Sequence, residues 1–385
     1  MNTQTPTVDI RLWKRNFWMM AVSSFLLSMA VTMFIPTLPQ WLMLDEGLTD
    51  KETGMVMGAF AAGLLLPGAF CSYLVQRYRR NMVCVAAVTL LALSTLSLLF
   101  VDVRGQWLLA AGVRTLQGAA FGLAQLVLTS TLIIDTCDSE RRTEANHAAS
   151  WFGRFALSIG PLSALILTAL GHFSWVVWLS VACCVLTMLL ILAVHFPFRV
   201  PYEQPRIVSL DRFMLVAAWP LLLLLVAVSM AVGLLLSLPL DQHFYGLLMV
   251  GFLLALLAQR FVFPDAELKS EVTSGLLLIG AAILVRLTSP ASLFFPAMLG
   301  FGIGVVGARF VLFFVKMAHH CQRGTALSTY LMGWESGLAT GLGMGYYYWA
   351  GQESRLLPVA LAVVAVSLLA YVSLLHRWFL QHKNR

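Results

Sequence analysis

Twelve apolar runs follow one another along this chain, at positions 17–38, 53–75, 82–101, 107–134, 148–170, 173–196, 213–236, 242–262, 271–288, 291–316, 324–349 and 355–376. Crossing the hydrocarbon core of a bilayer as a helix takes about 20 apolar residues. Lipid offers no partner to an unpaired backbone group, so such runs become helices. The expected fold is an all-α membrane protein of twelve transmembrane helices. Composition agrees: 59% of the 385 residues are hydrophobic, 11% are charged and the mean hydropathy is +0.83, against roughly 45–50% and 25% in soluble domains. A soluble enzyme, a nucleic-acid binder, a secreted disulfide scaffold and a disordered chain are excluded at this step. The first run is too long for the apolar part of a signal peptide and lacks a small-residue cleavage site, so it is expected to stay as the first span.

The net charge of +7 bears on orientation rather than on nucleic acid. Of the 25 lysines and arginines, 18 lie on segments that share a side with the N-terminus, four (Lys51, Arg104, Arg286 and Arg355) lie on the other, and Arg114, Arg154 and Arg309 fall inside spans. The positive-inside rule then places both termini in the cytoplasm, with the chain crossing the inner (plasma) membrane many times. The longest inner loop, 197–212, holds Pro197, Pro201 and Pro205 and reads as a linker. It divides an N-terminal six-helix bundle, 1–196, from a C-terminal one, 213–385.

The halves repeat one another. Leu74-Val75-Gln76-Arg77-Tyr78 and Leu257-Ala258-Gln259-Arg260-Phe261 are 183 residues apart, and at the same offset Trp151 meets Trp334 and Gly160 meets Gly343. Six is an even number of crossings, so both copies enter the membrane from the same side and the repeats are parallel. Two such bundles can rock about a central cavity, which is the architecture of a carrier.

Several motifs reduce to packing. Gly302-Ile303-Gly304-Val305-Val306-Gly307 has dinucleotide-loop spacing but lies inside a span, where small residues let helices approach closely. Cys71, Cys84, Cys137, Cys183, Cys184 and Cys321 match no zinc or redox spacing and are expected as free thiols. His319-His320-Cys321 has no partner at metal-ligand spacing and reads as a solvated loop. No metal or cofactor is expected, and no nucleophile–base pair suggests an enzyme.

Charges inside spans carry more weight, since an arginine at the centre of a spanning helix costs roughly 2.5–3.5 kcal/mol and such residues face a bundle interior or a wet path. Arg114 is followed in its span by Gln117 and Gln125, Arg154 enters the fifth span, and Glu335 lies near the middle of the eleventh. Arg309, nearer an inner end, is expected to snorkel. A carboxyl in a dry site favours its proton and one in water its charge. Glu335 is therefore the candidate proton-coupling residue, with Arg114 as the cation that competes for it. Arg114, Gln117, Gln125, Arg154, Trp334 and Glu335 are the candidate cavity lining. Three arginines against one glutamate favour a substrate bearing a carboxylate or phosphate.

The chain resembles the major facilitator superfamily, and its efflux-type members in particular. Ser72-Tyr73-Leu74-Val75-Gln76-Arg77-Tyr78-Arg79-Arg80 is similar to that family's G-x-x-x-D-R-x-G-R-R loop, with Ser72, Gln76 and Arg79 at the usual Gly, Asp and Gly. Arg114-Thr115-Leu116-Gln117-Gly118 matches R-x-x-Q-G, Gly160-Pro161 resembles the core of the antiporter G-P motif, and the run from Arg323 to Gly337 looks like bacterial exporters. The resemblance implies secondary active transport of a small molecule, coupled to protons and directed outward, by a monomer in lipid. It implies gating or packing roles for Gln76, Arg77, Arg80, Gly118, Gly160 and Pro161, and a cavity wall drawn from spans 1, 4, 5, 7, 10 and 11; Gly337 and Gly341, four residues apart in the eleventh span, are expected as a close-packing pair by their spacing. Proton-coupled uptake, and a sensor or scaffold that has lost transport, remain open on the same fold.

Overall fold

The structure, a computed structural model, describes residues 12–138, 141–196, 206–210, 212–262, 267–319 and 322–383. Every regular element among them is helical, and twelve helical units correspond one for one to the twelve runs. They are α1 (Arg15–Leu44), α2 (Asp50–Leu65 continued by Gly68–Arg77), α3 (Arg80–Leu99), α4 (Trp107–Asp135), α5 (Arg142–Leu170) and α6 (Phe173–Ala193), then α7 (Val216–Leu236), α8 (Gln242–Phe261), α9 (Leu268–Thr288), α10 (Phe294–Met317), α11 (Arg323–Trp349) and α12 (Glu353–His382). Ten are long and apolar enough to cross a membrane, and the bent α2 makes eleven. The remaining one, α11, has 27 residues, ample length, but its polar residues keep its hydropathy low. Most of the proposed linker, 197–205 with Asp211, and also His320 and Cys321, lie outside the described residues.

Proline explains the two breaks. Pro36 clashes with the carbonyl four residues back, that of Thr32, and α1 is interrupted at Met33. Pro67 does the same to Gly63, and α2 bends there by 44°. Pro161 sits inside α5 without breaking it. The start of α2 is fixed by a capping box, in which Thr49 accepts from the Glu52 N–H at 3.4 Å and Glu52 accepts from the Thr49 N–H at 2.9 Å. Thr49→Ala is expected to cost about 1 kcal/mol of stability, read as a lower unfolding midpoint. An unchanged midpoint would mean that lipid and neighbouring helices alone fix this helix end.

Helix pairing repeats between the halves. α1 packs on α5 and α6, α2 on α4, and α3 on α4 and α6. In the second half α7 packs on α11 and α12, α8 on α10, and α9 on α10 and α12. Each pair maps onto its counterpart by a shift of six helices, as a parallel duplication requires. The crossings match in detail: a Cβ on Gly118 would lie 3.1 Å from the Gly63 Cα between α4 and α2, and one on Gly300 would lie 3.3 Å from the Gly251 Cα between α10 and α8. Where lipid supplies no hydrophobic drive, such close backbone approach is what binds helices together.

The single offset of 183 does not survive in three dimensions. Gly63 and Gly251 are 188 residues apart and Gly118 and Gly300 are 182 apart, yet each pair is equivalent by packing. Gly160 packs on Met29 and Met33 of α1, whereas Gly343 faces Gly54 and Gly58 of α2. One inserted residue turns a helix face by about 100° at 3.6 residues per turn, so each helix pair resets its own register. The counterparts of Gly160 on α11 are Gly337 and Gly341, which lie against Val226 and Leu234 of α7.

Outward faces carry exposed leucines and valines, among them Leu186, Leu189, Leu192, Val366 and Leu369. A large apolar belt of this kind suits lipid. Cys71, Cys84, Cys137, Cys183 and Cys184 are free thiols.

Candidate functional site

Two charged residues from opposite halves meet one enclosed cavity. Arg114 of α4 and Glu335 of α11 line it together with Val31, Thr32 and Ile35 of α1, Met57 and Phe60 of α2, and Leu338, Ala339 and Leu342 of α11. Both charged residues are buried. The cavity has a volume of about 20 Å³, room for a single water and far below the roughly 300 Å³ of the smallest usual ligand pockets. A solute can enter only if the halves part.

Arg114 is held by its own half. Its Nη1 donates to Gln117 Oε1 at 2.9 Å, and the guanidinium carbon lies 4.4 Å from the centre of the Phe60 ring. Gln117 donates in turn to the Ser94 carbonyl of α3 at 3.3 Å. The spacing of three residues puts Arg114 and Gln117 on one helix face, which gives the R-x-x-Q pattern a physical basis. The Arg114 Nε is buried without a hydrogen-bond partner, and Glu335 forms no hydrogen bond or ion pair among the described residues. The guanidinium and the carboxyl therefore share a cavity without joining.

The other expected lining residues do not border this cavity. Gln117 turns away to anchor Arg114. Gln125 lies eleven residues further along α4, about 16 Å at 1.5 Å per residue, and is buried with its Oε1 unpartnered. Trp334 is buried but, next to Glu335 in sequence, points about 100° away from it. Arg154 is buried elsewhere, donating to Ser150 Oγ and to the Tyr330 hydroxyl of α11, each at 3.2 Å. α5, α7 and α10 contribute nothing to the wall, and α2, absent from the expected set, contributes Met57 and Phe60. Arg309 does not snorkel: its guanidinium is ion-paired with the buried carboxylate of Glu271 on α9. That pair was missed in the sequence because its members are 38 residues apart and Glu271 sits at a span end.

Of the gating candidates, Arg80 pairs with Asp135 at the end of α4, 2.7 Å away, and Gln76 donates to Ser72 Oγ at 3.2 Å. Arg77 also engages a neighbour. Gly118, Gly160, Gly337 and Gly341 are helix-crossing points inside their halves, and Thr32 beside Gly160 donates to the Ala156 carbonyl at 2.8 Å. Pro161 leaves the Leu157 carbonyl without its usual helical donor.

The cavity is closed at both ends by contacts between the halves. Towards the loop that holds Thr49, a Cβ on Gly54 would lie 2.5 Å from the Tyr347 N and 2.7 Å from the Gly343 carbonyl oxygen. Towards the opposite face, a Cβ on Gly324 would lie 2.5 Å from the Ser130 carbonyl oxygen, and Asn146 Nδ2 donates to the Arg323 carbonyl at 3.1 Å. Ser130 belongs to a π-helical turn, 128–132, inside α4. Such turns interrupt the regular ladder and are frequent at functional positions.

A model of the family described as Major Facilitator Superfamily matches residues 20–342, more than four-fifths of the chain. The chain belongs to the Major Facilitator Superfamily. Its twelve-helix arrangement is similar to that of the human organic anion transporter MFSD10 (TETRAN), at TM-score 0.65 and 14% identity over 92% of this chain and 98% of that one. It is similar also to FucP in the outward conformation, at TM-score 0.63 and 14% identity over 93% and 99%. At such identity the similarity concerns the fold. In sequence, Sugar efflux transporter A of Escherichia coli (strain K12) is 37% identical over 90 residues, 23% of this chain. That match spans about a quarter of the relative's length (23%). Members of the superfamily are multi-pass membrane transporters rather than enzymes, and their fold moves small molecules.

Proposed function

We propose that this superfamily member is a secondary active transporter that exports a small organic solute by alternating access, driven by protons. The observation that carries the reading is the enclosed cavity that Arg114 and Glu335 share without bonding one another. Glu335 is a carboxyl that can take up and release a proton, and parting of the halves on either side changes its access to water. Arg114 keeps its charge at physiological pH and offers the ionised carboxylate a partner once the cavity rearranges. Release of a proton can thus be tied to opening on one side. The short match to a sugar efflux transporter supports outward movement of a polar, carbohydrate-like solute.

In this reading the moving bodies are the bundles 1–196 and 213–385, joined by 197–212, with both termini in the cytoplasm and a monomer as the working unit. Asp50 is exposed beside the Thr49 cap. In a background without cysteines, D50C is expected to react with an impermeant maleimide added to intact cells, and S209C only after lysis. The reverse labelling would overturn the orientation. Direction is tested by untargeted profiling of solutes inside and outside cells with and without the protein. Export predicts depletion inside and enrichment in the medium. Enrichment inside would make the protein an uptake symporter, and no change would remove transport.

A further inference from the structure

α5 turns one polar stripe towards the other half. His147, Ser150, Trp151, Arg154 and Ser158 recur at intervals of three and four residues, which places them on one helix face. The Ser158 hydroxyl donates to the Tyr245 carbonyl of α8 at 2.6 Å, and Arg154 reaches Tyr330 of α11. The Trp151 ring would touch a Cβ placed on Gly304 of α10, at 3.4 Å. His147 borders a cleft of about 660 Å³ between the ends of α5 and α10, whose other walls include Glu144, Arg309 and Leu312. The stripe thus runs from an open mouth to a closed contact.

At its centre lies a charge with neutral acceptors and, among the described residues, no anionic partner. Arg154 is 3% exposed, Trp151 4% and Tyr330 2%. The guanidinium stacks on the Trp151 ring, 4.6 Å from its centre, and no carboxylate pairs with it among the described residues. Its Nε and the Trp151 Nε1 are buried without hydrogen-bond partners. The Tyr330 hydroxyl accepts from Arg154 and donates to none of the described residues. The guanidinium occupies the space that a side chain at Gly307 would fill, since a Cβ there would lie 2.7 Å from Nε. Buried polar groups are almost always satisfied, and an anionic acceptor would both take up the three unused N–H or O–H donors and balance the one positive charge.

We propose that Arg154, Trp151 and Tyr330 form a binding site for an anionic group, a carboxylate or phosphate, on the transported solute. The site lies on the cytoplasmic part of the path, and the cleft at His147 is its entrance. The proposal rests on the transport reading above and adds the substrate class. Tyr330 precedes Glu335 by five residues, about 7.5 Å along α11 at 1.5 Å per residue, so the two sites follow one another along one helix. Arg154 lies twelve residues into α5, about 18 Å from its start, beyond reach of a lipid headgroup at the surface. In the present conformation Gly307 and Tyr330 close over the guanidinium. Parting of the halves at this end would expose it to a solute.

The test is calorimetric binding to the purified full-length chain in detergent, with glucuronate, inorganic phosphate and glucose as probes. The two anions are expected to bind at least tenfold more tightly than glucose. Arg154→Gln should weaken them at least tenfold. Arg154→Lys, which keeps the charge but loses the planar fork, and Tyr330→Phe should each weaken them about threefold, so the test survives if the glutamine variant does not fold. Equal binding of glucose and glucuronate, no binding of either anion, or wild-type affinity in the lysine and phenylalanine variants would each overturn the site. No gradient is involved, so a negative result removes the anion site and leaves proton-driven export standing. Loss of export in turn would leave the binding result intact.

Discussion

Gly343→Ala is expected to reduce transport at least tenfold while leaving the unfolding midpoint almost unchanged. The added Cβ would lie 2.8 Å from the Cα and N of Gly58 and 2.9 Å from the Gly54 carbonyl oxygen. These are backbone atoms, so the clash can be relieved only by moving α2 and α11 apart as bodies. The contact joins the two halves and takes no part in the packing within either, and alanine is the better helix former, so each half keeps its stability. A bias of about 1.4 kcal/mol against the closed arrangement changes its population tenfold. Gly54→Ala should act in the same way. Gly58→Ala is the control, because its Cβ would meet the Gly343 Cα at 3.8 Å, an ordinary contact. Cysteine placed at Met57, which lines the cavity, should react with an impermeant maleimide added on the Thr49 side faster in the Gly343 and Gly54 variants than in the wild type, which opens that side for only part of its cycle. Wild-type flux in both would mean that this approach is not part of the working cycle.

Glu335→Gln is expected to abolish uphill transport and to spare downhill exchange. The glutamine keeps the shape of the protonated carboxyl and cannot release a proton. Since Glu335 makes no hydrogen bond or ion pair in the occluded arrangement, the substitution removes no native contact and the fold should be kept. Arg114→Lys should impair coupling as well. Lysine would lose the bond to Gln117 Oε1 in its present geometry and the broad contact with the Phe60 ring. If Arg114 serves only to pack against α2, the lysine variant should lose stability and keep its coupling.

The spans were legible because lipid imposes a length and an apolar composition. The run 107–134 became Trp107–Asp135, and 173–196 became Phe173–Ala193. The first run, 17–38 by apolar composition, extends to Leu44, because Pro39, the sixth of eleven residues in the second helical stretch, lies inside that helix and does not end it. Orientation of a residue around its helix was less legible. Arg114 and Glu335 were found from the cost of burying charge. Arg154, singled out on the same ground, lies beside Tyr330 instead, and the polar Gln125 and the aromatic Trp334 do not line the Arg114–Glu335 cavity. The Glu271–Arg309 pair and the meeting of Gly343 with Gly58 depend on which helix lies beside which. Those neighbours follow from the helix pairing repeated between the halves, and no local pattern in one segment encodes them.

Solute flux into proteoliposomes, with and without an imposed pH gradient, bears most directly on the claim that the Arg114–Glu335 cavity couples protons to transport. Wild-type protein should concentrate solute when the gradient is applied and only equilibrate it otherwise. With Glu335→Gln the two conditions should give the same curve, ending at equal concentrations on both sides. If the glutamine protein concentrates solute under the gradient at the wild-type rate, Glu335 is a packing residue and the coupling mechanism is wrong.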